Sequence, residues 1–462
     1  MGLQNNLTRR DHRPSRTTCR TWTGAFALVA VQAIFCPWTA FGLDPEFAKP
    51  QAAFTEFIQT DEPDYQWQME DKVETAGYQK WSLKLTSQRW QNIVWKHDVR
   101  VYVPKPCPHP DAAILFINGG SNRRPPNAAI EPACVALAGM SGMPVVALFQ
   151  VPNQPLMGGK YEDALIAATW LKYLDTGDAT WPLLFPMVKS AVKTMDCVGE
   201  LSEQQLQRPI ERFIVTGASK RGWTSWLSAA ADDRVIGIAP MVIDTLNFRK
   251  QMEDQKQKWG FFSEQIADYT EAGLVNLENE SDAERQLRLM MDPYEYRDRI
   301  CVPKLLINGA NDRYWRCDAL DNYWNDLSSP KNVLTIANAG HGLEGGHMRV
   351  TASIATFAAT CTEGRRLPSI QWSTQTDGRS IRFTAQSDRD VSDFRFWVAF
   401  SDTRDFRDRQ FHRFDADAEN RRKATVEFDV PKGQHAAVFA DLTFGSMLSA
   451  FDLSTGIAQP EL

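Results

Sequence analysis

Paired cysteines of the metal-binding or redox kind are missing from this chain. Its eight cysteines include no Cys-x-x-Cys, which leaves a zinc ribbon or a dithiol centre without a scaffold. Positive charge is not in surplus either: 51 Lys and Arg face 57 Asp and Glu, a net of −6. That balance argues against a nucleic-acid partner, which requires a basic face. There is no internal repeat and no low-complexity tract. Histidines are few, seven in 462 residues, which makes each one worth placing. Nothing calls for a cofactor or a metal ion, and composition sets no oligomeric state.

What is present is globular: 43% hydrophobic and 23% charged residues, in a chain long enough for two domains. The 15 Trp and 25 Phe are core-filling stock. At the N-terminus Arg9, Arg10, Arg13, Arg16 and Arg20 precede the apolar run "GAFALVAVQAIF", and small residues Ala40 and Gly42 mark a cleavage point before Leu43. Residues 1–42 are therefore expected to be an export signal, giving a periplasmic or secreted protein with no stable membrane insertion once it is cut. The alternative is an uncleaved membrane anchor, because residues 24–42 nearly span a bilayer. Six cysteines follow the leader (Cys107, Cys134, Cys197, Cys301, Cys317 and Cys361), and oxidising conditions would allow some of them to pair.

Residues 43 to about 75 read as an irregular lead-in. "WSLKLTSQRW" and "IVWKHDVRVYVPKP" then read as paired strands, with His97 on the apolar face of the second, as a hydrogen-bonded core histidine. From residue 111 short, continuous apolar runs ("AAILFI", "PVVALF", "RFIVTG", "VIGIAPMVI", "KLLING", "VLTIAN") mostly alternate with helical stretches. Strands without a polar face belong to a mainly parallel sheet covered by helices on both sides. Residues 43–365 are thus expected to be one α/β domain. Residues 247–298, rich in Gln, Glu, Lys and aromatics, break the alternation as a helical lid over the carboxyl ends of the strands. Residues 366–462 switch to period two and predict a small antiparallel β-sandwich.

The stretch "RFIVTGASKRGWTSW" carries the chemistry. A serine hydroxyl becomes a nucleophile only when a base takes its proton and a third group orients that base. Ser219 follows a strand and precedes a helix, the setting of a nucleophile elbow, but the usual G-x-S-x-G has Arg221 where glycine belongs and Gly222 one residue late. In the α/β-hydrolase order an acid follows the serine, then a histidine. Asp312, on the loop after "KLLING", is the expected acid, with Asp244, ending "APMVID", as its rival. Elimination leaves His341 and His347; His341, on a glycine-flanked loop after the last apolar strand, is the expected base, and His347, opening a helix, reads as structural. Oxyanion donors are expected from the amides of Lys220 and of the loop at Gly120 and Ser121, where paired glycines let N–H groups turn inward.

With these residues in view, "INGGSN", "VTGASKRGWTSW", "APMVIDTLN", "INGANDRYW" and "NAGHG" resemble the PhoPQ-activated pathogenicity-related protein family, placed with the α/β hydrolases. The resemblance covers roughly residues 50–360. It implies an exported hydrolase fold with Ser219, Asp312 and His341 at the triad positions, and it says little of substrate. Locally the elbow is also similar to that of glucuronoyl esterases, which use G-x-S-x-x-G with a basic residue after the serine; Lys220 and Gly222 match those places. The expected function is a serine hydrolase cleaving an ester or peptide bond in a small molecule or peptide. The alternative is a non-catalytic interaction or signalling protein that works through its C-terminal sandwich.

Overall fold

The structure, a computed structural model, describes residues 45–446 and 449–462. The expected export segment, with His12, Cys19 and Cys36, lies outside them. A 13-stranded mixed sheet organises the molecule. In space it begins with three antiparallel strands, β1 (Gln66–Glu74), β2 (Tyr78–Trp90) and β3 (Ile93–Pro104). A parallel block follows in the order β5 (Val145–Leu148), β4 (Ala112–Ile117), β6 (Arg212–Ala218), β7 (Val235–Met241), β8 (Lys304–Gly309) and β9 (Lys331–Ile336). Antiparallel strands β17 (Phe451–Ser454), β16 (His435–Phe444), β12 (Asp393–Ser401) and β13 (His412–Phe414) extend it. A separate sheet holds β10 (Ile370–Asp377), β11 (Ser380–Ser387), β15 (Lys423–Asp429) and β14 (Asp417–Asn420).

The continuous apolar runs explain the layering. In β6, Phe213 and Val215 face one way, into a core shared with Trp226 and Leu227 of the helix Lys220–Ala231. Ile214 faces the other way, toward Leu137 of the helix Glu131–Ser141 and Phe357 of the helix His347–Thr362. Each fully buried side chain of this size is worth about 1.5–3 kcal/mol relative to exposure. Because these strands run parallel, the loops at their carboxyl ends lie along one rim.

Three expectations need correction. The lead-in is not irregular: it forms the helix Pro45–Gln59, with Phe54 and Ile58 buried one turn apart, and then β1. β1 is an exposed edge strand, so burial imposed little alternation on its sequence. The C-terminal strands are antiparallel and two-layered, but they do not make a separate domain. One layer is the main sheet itself, since β17 pairs with β9 at Ser454 and Val333, and residues 45–462 show no division near 366. The four-stranded sheet packs on it through Ile381 and Phe383 against Phe396 and Val398. Finally, Cys107, Cys134, Cys197, Cys317 and Cys361 carry free thiols. Burial pushes Cys134 and Cys361 up to about 12, so they behave as small apolar core groups.

His97 sits as read, 2% exposed, with Nε2 3.0 Å from Ser87 Oγ and Nδ1 2.9 Å from the Phe149 carbonyl. Between β7 and β8, residues 247–298 form the helices Phe248–Trp259 and Asp282–Met291, joined by a longer connection that holds the 3-10 turn Glu264–Ile266 and the short helix Ala267–Thr270. The second starts with a reciprocal cap: the Glu284 amide donates to Ser281 Oγ, and the Ser281 amide to the Glu284 carboxylate. No helix among the described residues is long and apolar enough to cross a membrane.

Candidate active site

Ser219 sits between β6 and the helix Lys220–Ala231 at φ 58°, ψ −123°, a conformation side chains avoid. Its amide donates to the Met241 carbonyl on β7 (2.8 Å), and its own carbonyl accepts from Trp223 N (2.9 Å), so both neighbours hold the turn. The two glycines are needed for contact. A Cβ on Gly217 would meet the Arg221 backbone at 2.8 Å, and one on Gly222 would meet the Met241 carbonyl at 2.9 Å and Ile243 Cγ2 at 2.8 Å. The close approach to β7 thus falls at 222, not 221.

Position 221 is free to carry a long side chain, and that side chain has a job. Arg221 Nε donates to the Val151 carbonyl (2.5 Å), and both terminal nitrogens donate to Glu162 at 2.7 Å. Burial would raise the Glu162 carboxyl, but the Arg221 hydrogen bonds and charge outweigh it and hold the group down to about 2. The guanidinium also lies where a Cβ on Gly119 would be. It therefore braces the loop after β4 that carries Gly120 and Ser121. There Gly120 takes φ 132°, the Gly119 carbonyl accepts from Gln150 N (3.0 Å), and the Gly120 carbonyl accepts from Gln154 Nε2 (2.9 Å). Carbonyls are held away by these bonds. The amides of Gly120, Ser121 and Lys220 meet no acceptor among the described residues.

Asp312 and His341 come from the loops after β8 and β9. His341 Nδ1 lies 2.8 Å from Asp312 Oδ2, and Asp312 Oδ1 accepts from Tyr314 N at 3.0 Å. An ionised carboxylate can only accept, so a neutral His341 donates from Nδ1 and keeps its lone pair on Nε2. The loops approach closely at Gly309, where a Cβ would run into the Ala339 and Gly340 carbonyls. Asp244 stands elsewhere: its Oδ1 accepts from Tyr323 OH at 2.5 Å, not from the histidine. Burial pushes its carboxyl up to about 7, against that hydrogen bond and with help from the negative charge of Asp312.

Ser219 and Lys220 line a cavity of about 140 Å³ whose far walls come from residues 248–288. Tyr314 lines it too, and its ring packs 4.4 Å from that of His341, linking the cavity to the acid–base pair. Ser219 Oγ holds no hydrogen bond among the described residues. Sequence reading gave no role to Asp163, which accepts from Lys220 Nζ (2.8 Å), Tyr269 OH (2.9 Å) and Tyr314 OH (3.3 Å). Nor did it find Glu162. Both start the helix Glu162–Thr176, whose sequence reads as an ordinary acidic first turn.

The fold and these loops define an α/β protein with a strained serine elbow at the rim of a large mixed sheet. The chain belongs to the PhoPQ-activated pathogenicity-related protein family, whose model matches residues 54–407. It is 32% identical over 335 residues to autocrine proliferation repressor protein A of Dictyostelium discoideum, a match spanning 69% of this chain and 66% of that protein. Among solved structures it is similar to acetyl xylan esterase 1 from Thermoanaerobacterium (TM-score 0.46, 18% identity, 66% of this chain and 93% of the other). It is also similar to a glucuronoyl esterase from Solibacter usitatus (TM-score 0.42, 11% identity, 68% and 92%).

Proposed function

We propose that this chain is an exported α/β hydrolase that cleaves an ester or peptide bond through a Ser219–His341–Asp312 triad. Ser219 Oγ attacks the carbonyl carbon while its proton passes to His341 Nε2, and Asp312 steadies the imidazolium that results. The oxyanion is received by the amides of Lys220 and of Gly120 or Ser121. His341 then gives the proton to the leaving group, leaving an acyl-enzyme that water clears by the same route. Residues 247–298 act as the lid. The observation that carries this reading is the 2.8 Å Asp312–His341 bond, linked through the Tyr314 ring to the cavity that Ser219 lines at positive φ.

A fluorophosphonate probe tests it: wild-type protein is labelled and Ser219→Ala is not. Folded wild-type protein that resists the probe would end the proposal. The rival reading, a non-catalytic protein working through its C-terminal strands, gains nothing from those strands being continuous with the main sheet.

A further inference from the structure

The cavity beside Ser219 has a composition that narrows the substrate, taking the serine-hydrolase reading as its basis. Its floor is a set of ring contacts: Trp170 to Trp223 at 5.9 Å, Trp223 to Phe248 at 5.1 Å, and Trp170 to Tyr269 at 5.3 Å between centroids. Trp223 Nε1 donates to the Met291 carbonyl (2.7 Å), which fixes that ring and takes its one donor out of play. Met252 and Leu287 close the walls from the two helices of residues 247–298.

The charged residues around this floor are three cations and three carboxylates, and each is already engaged. Lys220 is held by Asp163 at 2.8 Å. Arg288 forks onto Glu280 at 2.7 and 3.0 Å, and Arg249 lies 3.5 Å from the same carboxylate. Glu284 is occupied by its helix cap. A ligand carboxylate entering here would lie beside Asp163, Glu280 and Glu284 and compete with them for cations that are already paired. A neutral apolar group meets no such penalty.

Position says which part of the substrate enters. The leaving group must receive its proton from His341, so it departs on the imidazole side. The cavity is lined by Ser219 and Lys220, the nucleophile and an oxyanion amide, and His341 is not among its lining residues, so the group it holds is assigned to the acyl side of the reacting carbonyl. Its 140 Å³ is close to the roughly 150 Å³ apolar cavity that takes up benzene in a well-studied case.

We propose that this cavity is an acyl pocket selecting an uncharged, apolar acyl group of about six carbons or one phenyl ring, and rejecting acetyl and anionic acyl groups. The test is a series of p-nitrophenyl esters on the full-length protein: acetate, hexanoate, benzoate and the mono-ester of adipate, which matches hexanoate in length but ends in a carboxylate. Hexanoate and benzoate are expected to exceed acetate in kcat/KM by at least about ten-fold, the low end of what pocket filling gives per methylene. The adipate ester should fall at least ten-fold below hexanoate. Met252→Trp, which fills the cavity, should lower the hexanoate-to-acetate ratio at least five-fold, a readout that global loss of folded enzyme would not move. Ser219 labelling together with a flat chain-length profile, or with adipate preferred, overturns the pocket assignment and leaves the hydrolase reading standing. Neither labelling nor turnover in folded protein overturns both.

Discussion

Asp312 and Asp244 leave neighbouring strands, yet their side chains meet different partners. Because only Asp312 bonds His341, Asp312→Asn should present the wrong tautomer and cut kcat by about 10³–10⁴. Asp244→Asn keeps an acceptor for Tyr323 and should cost less than about ten-fold; equal losses in the two variants, measured on one ester, would show that the acid is misassigned. Arg221 gives a sharper case. Restoring the commoner motif with Arg221→Gly would leave Glu162 only Gln154 and the more distant Lys220 and would unbrace the Gly119 loop, and it should cost about 2 kcal/mol after allowance for Glu162 being partly exposed. Urea unfolding that finds the glycine variant as stable as wild type would refute this. His97 supplies a pH effect. Burial pulls its imidazole down to about 4, while the unfolded residue titrates near 6.5. Below pH 6.5 the unfolded chain takes a proton that the folded chain refuses, so stability from this group is lost as pH falls through 6.5 toward 4, by up to about 3 kcal/mol. In His97→Gln the slope of unfolding free energy over that window should flatten relative to wild type.

At the scale of elements, the loop between β12 and β13 clamps the acid loop. Asn311 Nδ2 donates to the carbonyls of Phe406 (2.9 Å) and Arg409 (2.7 Å), and Arg313 pairs with Asp408 at 2.6 Å. Arg407 stacks 4.2 Å over Trp259 and bonds Glu264, both in residues 247–298. On the histidine side, Asn338 exchanges two hydrogen bonds with the Phe411 backbone, at 2.9 and 2.7 Å. The strands beyond residue 366 therefore position the loops of Asp312 and His341. Asn311→Ala is expected to lower kcat by about 10²-fold through misplacement of the acid, with KM little changed. A change confined to KM would argue that the clamp shapes binding and not the acid–base pair.

At the scale of the whole molecule, removing residues 366–462 should be ruinous. The cut would strip β17 from the edge of β9 and unpair Arg349, which reaches Asp441 at 2.8 Å and Asp452 at 2.6 Å from the helix after His341. An unpaired strand edge and the apolar face uncovered at Ile354 and Phe357 both favour aggregation over folding. Truncated protein is expected to be insoluble or to lack a cooperative unfolding transition, and a soluble, cooperatively melting fragment would show that the layers are separable after all.

Local pattern was enough to mark the six parallel strands, the helices between them, the elbow at Ser219 and the candidate residues Asp312 and His341. Each is announced within a few residues by apolar runs, glycines and chain order. It was not enough to show that the C-terminal strands continue the main sheet, because period-two alternation is the same in a free sandwich and in an extension of an existing sheet. Nor could it show that the displaced glycine answers a contact with β7, that Arg221 braces the loop after β4, or which of two carboxylates meets the histidine. Those are matters of which surfaces touch, between segments tens to hundreds of residues apart, and only the folded chain brings them into contact.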